Sequence, residues 1–155
     1  MTVLASLMVV ASVMIASPLI TGHRGSGSES RRSPIPGNTL PSIAHAFAEG
    51  ADLVEIDVQL DAHGDPILWH NKRVRINGRK VRVGEVAQAD FPPLVGPTGI
   101  EARVPLFSDA LRLALESGCC CKVMDVELKV YDDCRRAALA KAAVVSCWKP
   151  ARRIE

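Results

Sequence analysis

The chain has 155 residues, a formal charge of +2 and a hydrophobic fraction of 48%. That balance excludes a disordered chain and a nucleic-acid-coating one, and the length suggests one domain. A pI near 8.3 is too mild to imply a polyanionic partner, so no nucleic acid is expected.

Residues 1–17 carry no charged side chain and are mostly apolar. Three readings stand side by side. A signal peptide would normally open with a positive region, which is missing here. A membrane-spanning helix would stop at Pro18 after roughly 24 Å, short of a ~30 Å hydrocarbon core. The third reading is a helix that packs on the domain. The first leads to secretion, the second to membrane association through residues 1–17, the third to a cytoplasmic protein. Five cysteines are present, at 119, 120, 121, 134 and 147, with no Cys-x-x-Cys spacing. They read as ordinary thiols and lean towards a reducing compartment.

From residue 18 onwards, strands alternate with helices. Residues 18–23 read as a buried strand, and the Gly-, Ser- and Pro-rich stretch 25–37 as a loop. Thr39 is placed to cap a helix over 40–49, with Pro41 in its first turn and Gly50 ending it. Residues 52–60 form the clearest strand. Asp61 to Asp65 is a turn, and 67–70 returns as a second extended piece. The stretch 71–104 is loop-rich, with Asn77-Gly78 as a hairpin turn. Basic residues cluster there at Lys72-Arg73-Val74-Arg75 and Arg79-Lys80-Val81-Arg82. They read as a solvated hairpin face, or alternatively as an attraction for an anionic substrate or lipid headgroup. Ser108 can cap a helix over 109–117, residues 123–130 form a strand, and 132–147 an alanine-rich helix stopped by Pro150. This order argues a parallel sheet covered by helices.

Chemistry concentrates on two strands. In Leu53-Val-Glu-Ile-Asp-Val58 the alternation puts Glu55 and Asp57 on one face and Val54, Ile56 and Val58 on the other. Like charges on an inward face are costly unless a cation neutralises them. Glu127 and Lys129 repeat the pattern opposite Val126, Leu128 and Val130. Either strand alone could be an exposed edge; together they favour a polar barrel mouth. Pairing around the 61–65 turn brings His70 back to the level of Asp57, within a residue or two. His23 ends the preceding strand, and parallel strands open their C-terminal ends on one face. The spacing therefore allows His23, Glu55, Asp57, His70 and Glu127 to meet.

These residues resemble the glycerophosphodiester phosphodiesterase family over about residues 18–130. The resemblance rests on His23-Arg24-Gly25, Pro36-Gly37-Asn38-Thr39, Ala46-Phe47 with Gly50-Ala51-Asp52, Glu55-x-Asp57-Val58, Gly64 and His70, Val104-Pro105-Leu106 and Glu127-Leu128-Lys129. It implies an α/β fold, the N-terminal part of a (β/α)8 TIM barrel, and hydrolysis of small glycerophosphodiesters to sn-glycerol 3-phosphate and an alcohol. It implies a divalent cofactor, Ca2+ or Mg2+, on Glu55, Asp57 and Glu127. His23 and His70 would be the general acid and base, and Arg24, Lys129 and Asn38 would bind phosphate or substrate. Oxygen ligands suit hard cations, imidazoles titrate near neutrality, and a guanidinium matches phosphate geometry. The chain departs from the family pattern where Gly37 replaces a glutamate and Asn71 replaces an aspartate after the histidine.

A barrel of this kind typically takes about 250 residues, and about three strand-helix units are present here. Residues 18–155 are therefore expected to be a partial domain, neither stable nor active alone and prone to self-association through uncovered apolar surface. Competing expectations are a sphingomyelinase-D or phosphoinositide-phospholipase type of barrel, and a non-catalytic half-barrel remnant. Asn38-Thr39 and Glu127-x-Lys129 favour the glycerophosphodiesterase; the short length and the Gly37 and Asn71 departures favour the remnant.

Overall fold

A computed structural model describes residues 18–27, 34–116, 123–131 and 135–151; within the last helix, side chains are described only up to Ala143. The expectations for residues 1–17 fall outside this range, as do Cys119, Cys120, Cys121 and Cys134. Of Cys147 only the backbone is described. Among the described residues, no helix is long and apolar enough to cross a membrane.

The fold is organised around β2 (Leu53–Leu60), the longest strand. The carbonyls of Glu55 and Asp57 point to one edge, where Gly25 N and Trp69 N donate to them at 3.3 and 3.0 Å. The Val58 carbonyl points to the other edge, where Lys129 N donates at 2.9 Å. One edge therefore carries β1 (Thr21–His23), parallel, and β3 (Pro66–Leu68), antiparallel. The other carries β8 (Val123–Leu128), parallel over the whole register from Leu53↔Val123 to Val58↔Leu128.

Three helices cover the apolar face. Helix α1 (Leu40–Ala48) is nucleated by a capping box. The Thr39 hydroxyl accepts from Ser42 N at 3.4 Å, and the Ser42 hydroxyl accepts from Thr39 N at 3.3 Å, satisfying donors that have no partner inside the helix. Gly50, at φ 89°, lets the chain turn out of the helix. Ile43, Ala46 and Phe47 pack on Val54, Ile56 and Val58. Phe107 and Ala110 from α2 (Phe107–Glu116) join them, as do Leu139 and Ala143 from α3 (Arg136–Ala151). Ile43, Val54, Ile56 and Val58 expose no surface, and each such side chain contributes about 1.5–3 kcal/mol on burial.

Residues 71–104, expected to be loop-rich, hold two hairpins and two 3-10 turns. The hairpins are β4 (Arg73–Ile76) with β5 (Arg79–Arg82), and β6 (Leu94–Val95) with β7 (Glu101–Ala102). The expected Asn77-Gly78 turn is present, with φ 47° and 80° as a tight hairpin requires. This excursion has its own core of Ile67, Trp69, Val74, Val83, Val86, Phe91 and Val104. Within it Trp69 meets Phe91 edge-on at 5.3 Å.

Three local expectations are corrected. Residues 18–20 extend the chain but are not a buried strand: Leu19 and Ile20 are 70% and 63% exposed, because no described element packs over them. Ser108 is not the cap of α2. The helix starts at Phe107, which is pulled into the core, and the Leu106 carbonyl accepts from Asp109 N and Ala110 N. Pro150 does not stop α3 ahead of itself but sits in its last turn, which ends at Ala151.

Removing core volume should cost more than removing the cap. Ile56→Ala is expected to lower stability by about 2–5 kcal/mol, and Thr39→Ala by about 1 kcal/mol, in urea unfolding followed by circular dichroism.

Candidate active site

The polar face of β2 is where the predicted residues gather, and strand register does the gathering. His23 lies level with Glu55 and Asp125, and Asp57 level with Glu127. In-register residues of parallel strands project to the same side of the sheet. Carboxylate oxygens of Glu55, Asp57 and Glu127 accordingly lie within 4.8 Å of one another.

Asp57 is the hub. Its side chain is 1% exposed. Oδ2 accepts from Asn38 Nδ2 at 2.8 Å and faces Arg24 Nε at 3.2 Å, while Oδ1 faces Lys129 Nζ at 3.1 Å. The Asn38 side-chain carbonyl in turn accepts from Asp57 N at 3.0 Å, so the two residues clasp each other. Arg24 Nε and Asp57 Oδ1 are buried and engaged by charge at these distances, without an aligned hydrogen bond. Lys129 Nζ also lies 2.6 Å from Glu127 Oε1. Burial works against the Lys129 ammonium, but its contacts with the Glu127 and Asp57 carboxylates outweigh that and hold its pKa above the ordinary lysine value.

Glu55 lies beside this hub. Its Oε2 accepts from Arg24 N at 3.0 Å and stands 3.8 Å from His23 Nε2. Burial is the largest influence on the Glu55 carboxyl and holds its pKa above the usual range; the Arg24 N–H pulls the other way, and Asp57 adds to the rise. The His23 ring is 68% exposed and Glu127 55% exposed, so the site opens to solvent on that side.

His70 arrives as the turn geometry requires. Trp69 N bonds the Asp57 carbonyl, which puts His70 one residue further along the same edge. Its carbonyl accepts from the Tyr131 hydroxyl at 2.7 Å, and its Nδ1 atom is buried. Gln59 Nε2 donates to the carbonyls of Trp69 and Asn71 at 2.6 and 3.0 Å, holding the backbone on both sides of the histidine. The structure thus joins His23, Arg24, Asn38, Glu55, Asp57, Glu127 and Lys129 by direct contacts, and brings His70 beside them by its backbone.

Sequence reasoning missed three supports: Ser42, whose hydroxyl donates to the Arg24 carbonyl at 2.9 Å, Gln59 and Tyr131. Gln59 was within reach, since it continues the period-two polar face of Glu55 and Asp57. Backbone conformation was not. Arg24 and Asn38 both adopt positive φ, 53° and 57°. For arginine that costs about 1–2 kcal/mol, balanced here by hydrogen bonds from Asn38 N and Ser42 Oγ to its carbonyl. Gly25, at φ 81°, makes the tight turn after Arg24, and a Cβ there would collide with Ser42 Oγ. At the Gly37 departure an added Cβ would touch Arg24 Cβ at 3.1 Å, so the altered position borders the site directly.

A second acidic group, Asp61, His63 and Asp65, also clusters within 4.8 Å, but it is a turn. Asp61 is saturated by the backbone N–H groups of His63, Asp65 and Gln88 at 2.8–2.9 Å. Glu55, Asp57 and Glu127 offer three carboxylates, and Asp57 Oδ1, unlike the Asp61 oxygens, retains acceptor capacity. That donor set fits a divalent cation of the Ca2+ or Mg2+ type.

Comparison with known proteins bears on the family and the fold. The model of the glycerophosphoryl diester phosphodiesterase family matches residues 23–151. No curated protein matches the chain. Among solved structures, a candidate glycerophosphoryl diester phosphodiesterase from Silicibacter pomeroyi DSS-3 superposes with a TM-score of 0.71 at 22% identity, over 84% of this chain and 53% of that one. A phosphodiesterase from Oleispira antarctica, solved with the product sn-glycerol-3-phosphate, gives 0.66 at 24% identity, over 85% and 52%. A glycerophosphodiester phosphodiesterase from Agrobacterium tumefaciens str. C58 gives 0.57 at 26% identity, over 83% and 54%. The chain spans about half the length of these structures, and its α/β fold is that of part of a TIM barrel.

The raised Glu55 pKa has a sign. Below the ordinary carboxylate value of 4.5 both folded and unfolded chains hold the proton. As pH rises through that value the unfolded chain releases it first, so Glu55 makes stability fall until its folded pKa is passed. Glu55→Gln is expected to leave stability unchanged below the window and raise it above. Urea midpoints on either side of the carboxylate range measure this.

Proposed function

We propose, on the premise that this chain belongs to the glycerophosphoryl diester phosphodiesterase family, that its site hydrolyses glycerophosphodiesters to sn-glycerol 3-phosphate and an alcohol. The observation that carries the proposal is the buried Asp57, flanked by Glu55 and Glu127 and held by Arg24, Asn38 and Lys129. The product bound to the Oleispira antarctica phosphodiesterase supports a small glycerophosphodiester as substrate class.

Glu55, Asp57 and Glu127 would hold a divalent cation, Ca2+ or Mg2+, which supplies neutralisation of phosphoryl charge. The remaining work falls to the chain. Arg24 and Lys129 lie against the same carboxylate and can bind phosphate oxygens by turning outward from it. Asn38 keeps Asp57 oriented meanwhile. His23 and His70 divide the proton transfers: one imidazole takes a proton from the attacking water, and the other returns one to the departing alkoxide. Glu55, 3.8 Å from His23 Nε2, stabilises the imidazolium when that ring carries the proton. Gln59 and Tyr131 fix the backbone that presents His70.

One observation favours a second reading, a binding module without turnover. The Lys129 ammonium already bridges Asp57 and Glu127, the position a cation would take. Hydrolysis of glycerophosphocholine with Ca2+ or Mg2+ decides between them. Metal-dependent release of glycerol phosphate, lowered about 100- to 10,000-fold by His23→Ala or His70→Ala and abolished by Glu55→Ala, is the expected result. Absence of turnover from the folded, metal-supplied chain would establish the second reading.

A further inference from the structure

The hairpin β4–β5 and the residue before it carry a cluster of exposed positive charge that lies outside the catalytic constellation. Residues 66–84 hold six lysines and arginines and no acidic residue. The chain as a whole is only +2, so the remainder is net negative. All six cations, Lys72, Arg73, Arg75, Arg79, Lys80 and Arg82, are exposed.

Their arrangement is specific. Arg73 lies directly opposite Arg82, and Arg75 directly opposite Lys80. Opposed residues of an antiparallel pair share a face, so these four form a ladder of like charges. Val74 and Val81 occupy the other face, against the small core. Like charges directly opposite destabilise a ribbon. The Arg75 and Arg73 guanidiniums find only backbone carbonyls, those of Gly78 and Lys80 at 2.8 and 3.4 Å. Among the described residues, no carboxylate pairs with Lys72, Arg73, Arg75, Arg79 or Lys80. At the open end of the ribbon, Lys72 and Arg82 line a cavity of about 240 Å³ together with Gln59, Lys129 and Tyr131. That cavity adjoins the candidate active site through Lys129, so the ladder rises beside the site.

We propose that this ribbon is a docking surface for an anionic phospholipid membrane, which brings the mouth of the site against the lipid headgroups. Clusters of four to eight basic residues are attracted to anionic leaflets through exposed positive charge of this kind. A nucleic acid is the weaker match. The ribbon itself carries no aromatic for base stacking: Trp69 is buried against Phe91, and Tyr131 at the open end is engaged by Lys72, 5.8 Å from its ring, and by the His70 carbonyl. The choice of lipid over other polyanions rests on the diesterase reading; the anion binding itself does not.

Co-sedimentation of the full chain with phosphatidylcholine vesicles, with and without phosphatidylserine, tests this without requiring turnover. Binding should need phosphatidylserine and weaken as salt is added. Arg75→Gln combined with Lys80→Gln should lower partitioning about thirty-fold. The charge-preserving pair Arg75→Lys and Lys80→Arg should retain it, and hydrolysis of soluble glycerophosphocholine should be the same in both pairs as in the parent chain. Equal binding to both vesicle types would overturn the proposal, because an apolar segment would then be responsible. So would unchanged partitioning of the double glutamine variant, or tighter binding to duplex DNA than to phosphatidylserine vesicles at the same ionic strength.

Discussion

A single buried carboxylate holds the site together. Asp57 is almost fully excluded from water, and an ionised group in that position is costly by several kcal/mol unless its oxygens are engaged. Each of its partners comes from a different part of the chain: Arg24 just after β1, Asn38 just before α1, and Lys129 just after β8. Satisfying one charge therefore joins the segments that form the site. The same contacts hold Arg24 and Asn38 in left-handed backbone conformations that neither would adopt without tertiary support.

The sheet converts this local requirement into a layout. Because β1 and β8 run parallel to β2 on opposite edges, residues at equal height point the same way. Period-two alternation then separates an apolar face, covered by α1, α2 and α3, from a polar face carrying Glu55, Asp57, Gln59, Glu127 and Lys129. The excursion after β3 contributes differently. Its separate core lets it carry an independent surface, so the charges on β4–β5 can face outward without disturbing the helices.

Much of this was legible in the sequence, for physical reasons that vary by residue. Glu55, Asp57, Glu127 and Lys129 were legible because strand alternation is a short-range geometric rule with few exceptions. The return of His70 was legible because the length of the 61–65 turn sets the register. The helix cap at Thr39 was legible from composition alone, and the cap at Ser108 was misplaced by the same rule, since burial of Phe107 outweighs a side-chain cap. Exposure of Leu19 and Ile20 could not be read from their apolar character, because burial depends on what packs above them. The Lys129 bridge and the clasp between Asn38 and Asp57 were also out of reach. They join residues 72 and 19 positions apart through side-chain torsions that no local pattern encodes.

The charge count at the centre argues for why both cations and carboxylates are needed. Among the carboxylates and the fixed cations, Glu55, Asp57 and Glu127 set three negative charges against the two positive charges of Arg24 and Lys129. Such a cluster is close to balance and can remain packed on its own. A divalent cation alone would leave the cluster positive, and a phosphate diester alone would make it more negative. The two together would restore neutrality. On the proposed reading, metal and diester would be electrostatically coupled through Asp57, each making the other easier to accept, and Lys129 would be free to follow the phosphate only once another cation took over its place between Asp57 and Glu127.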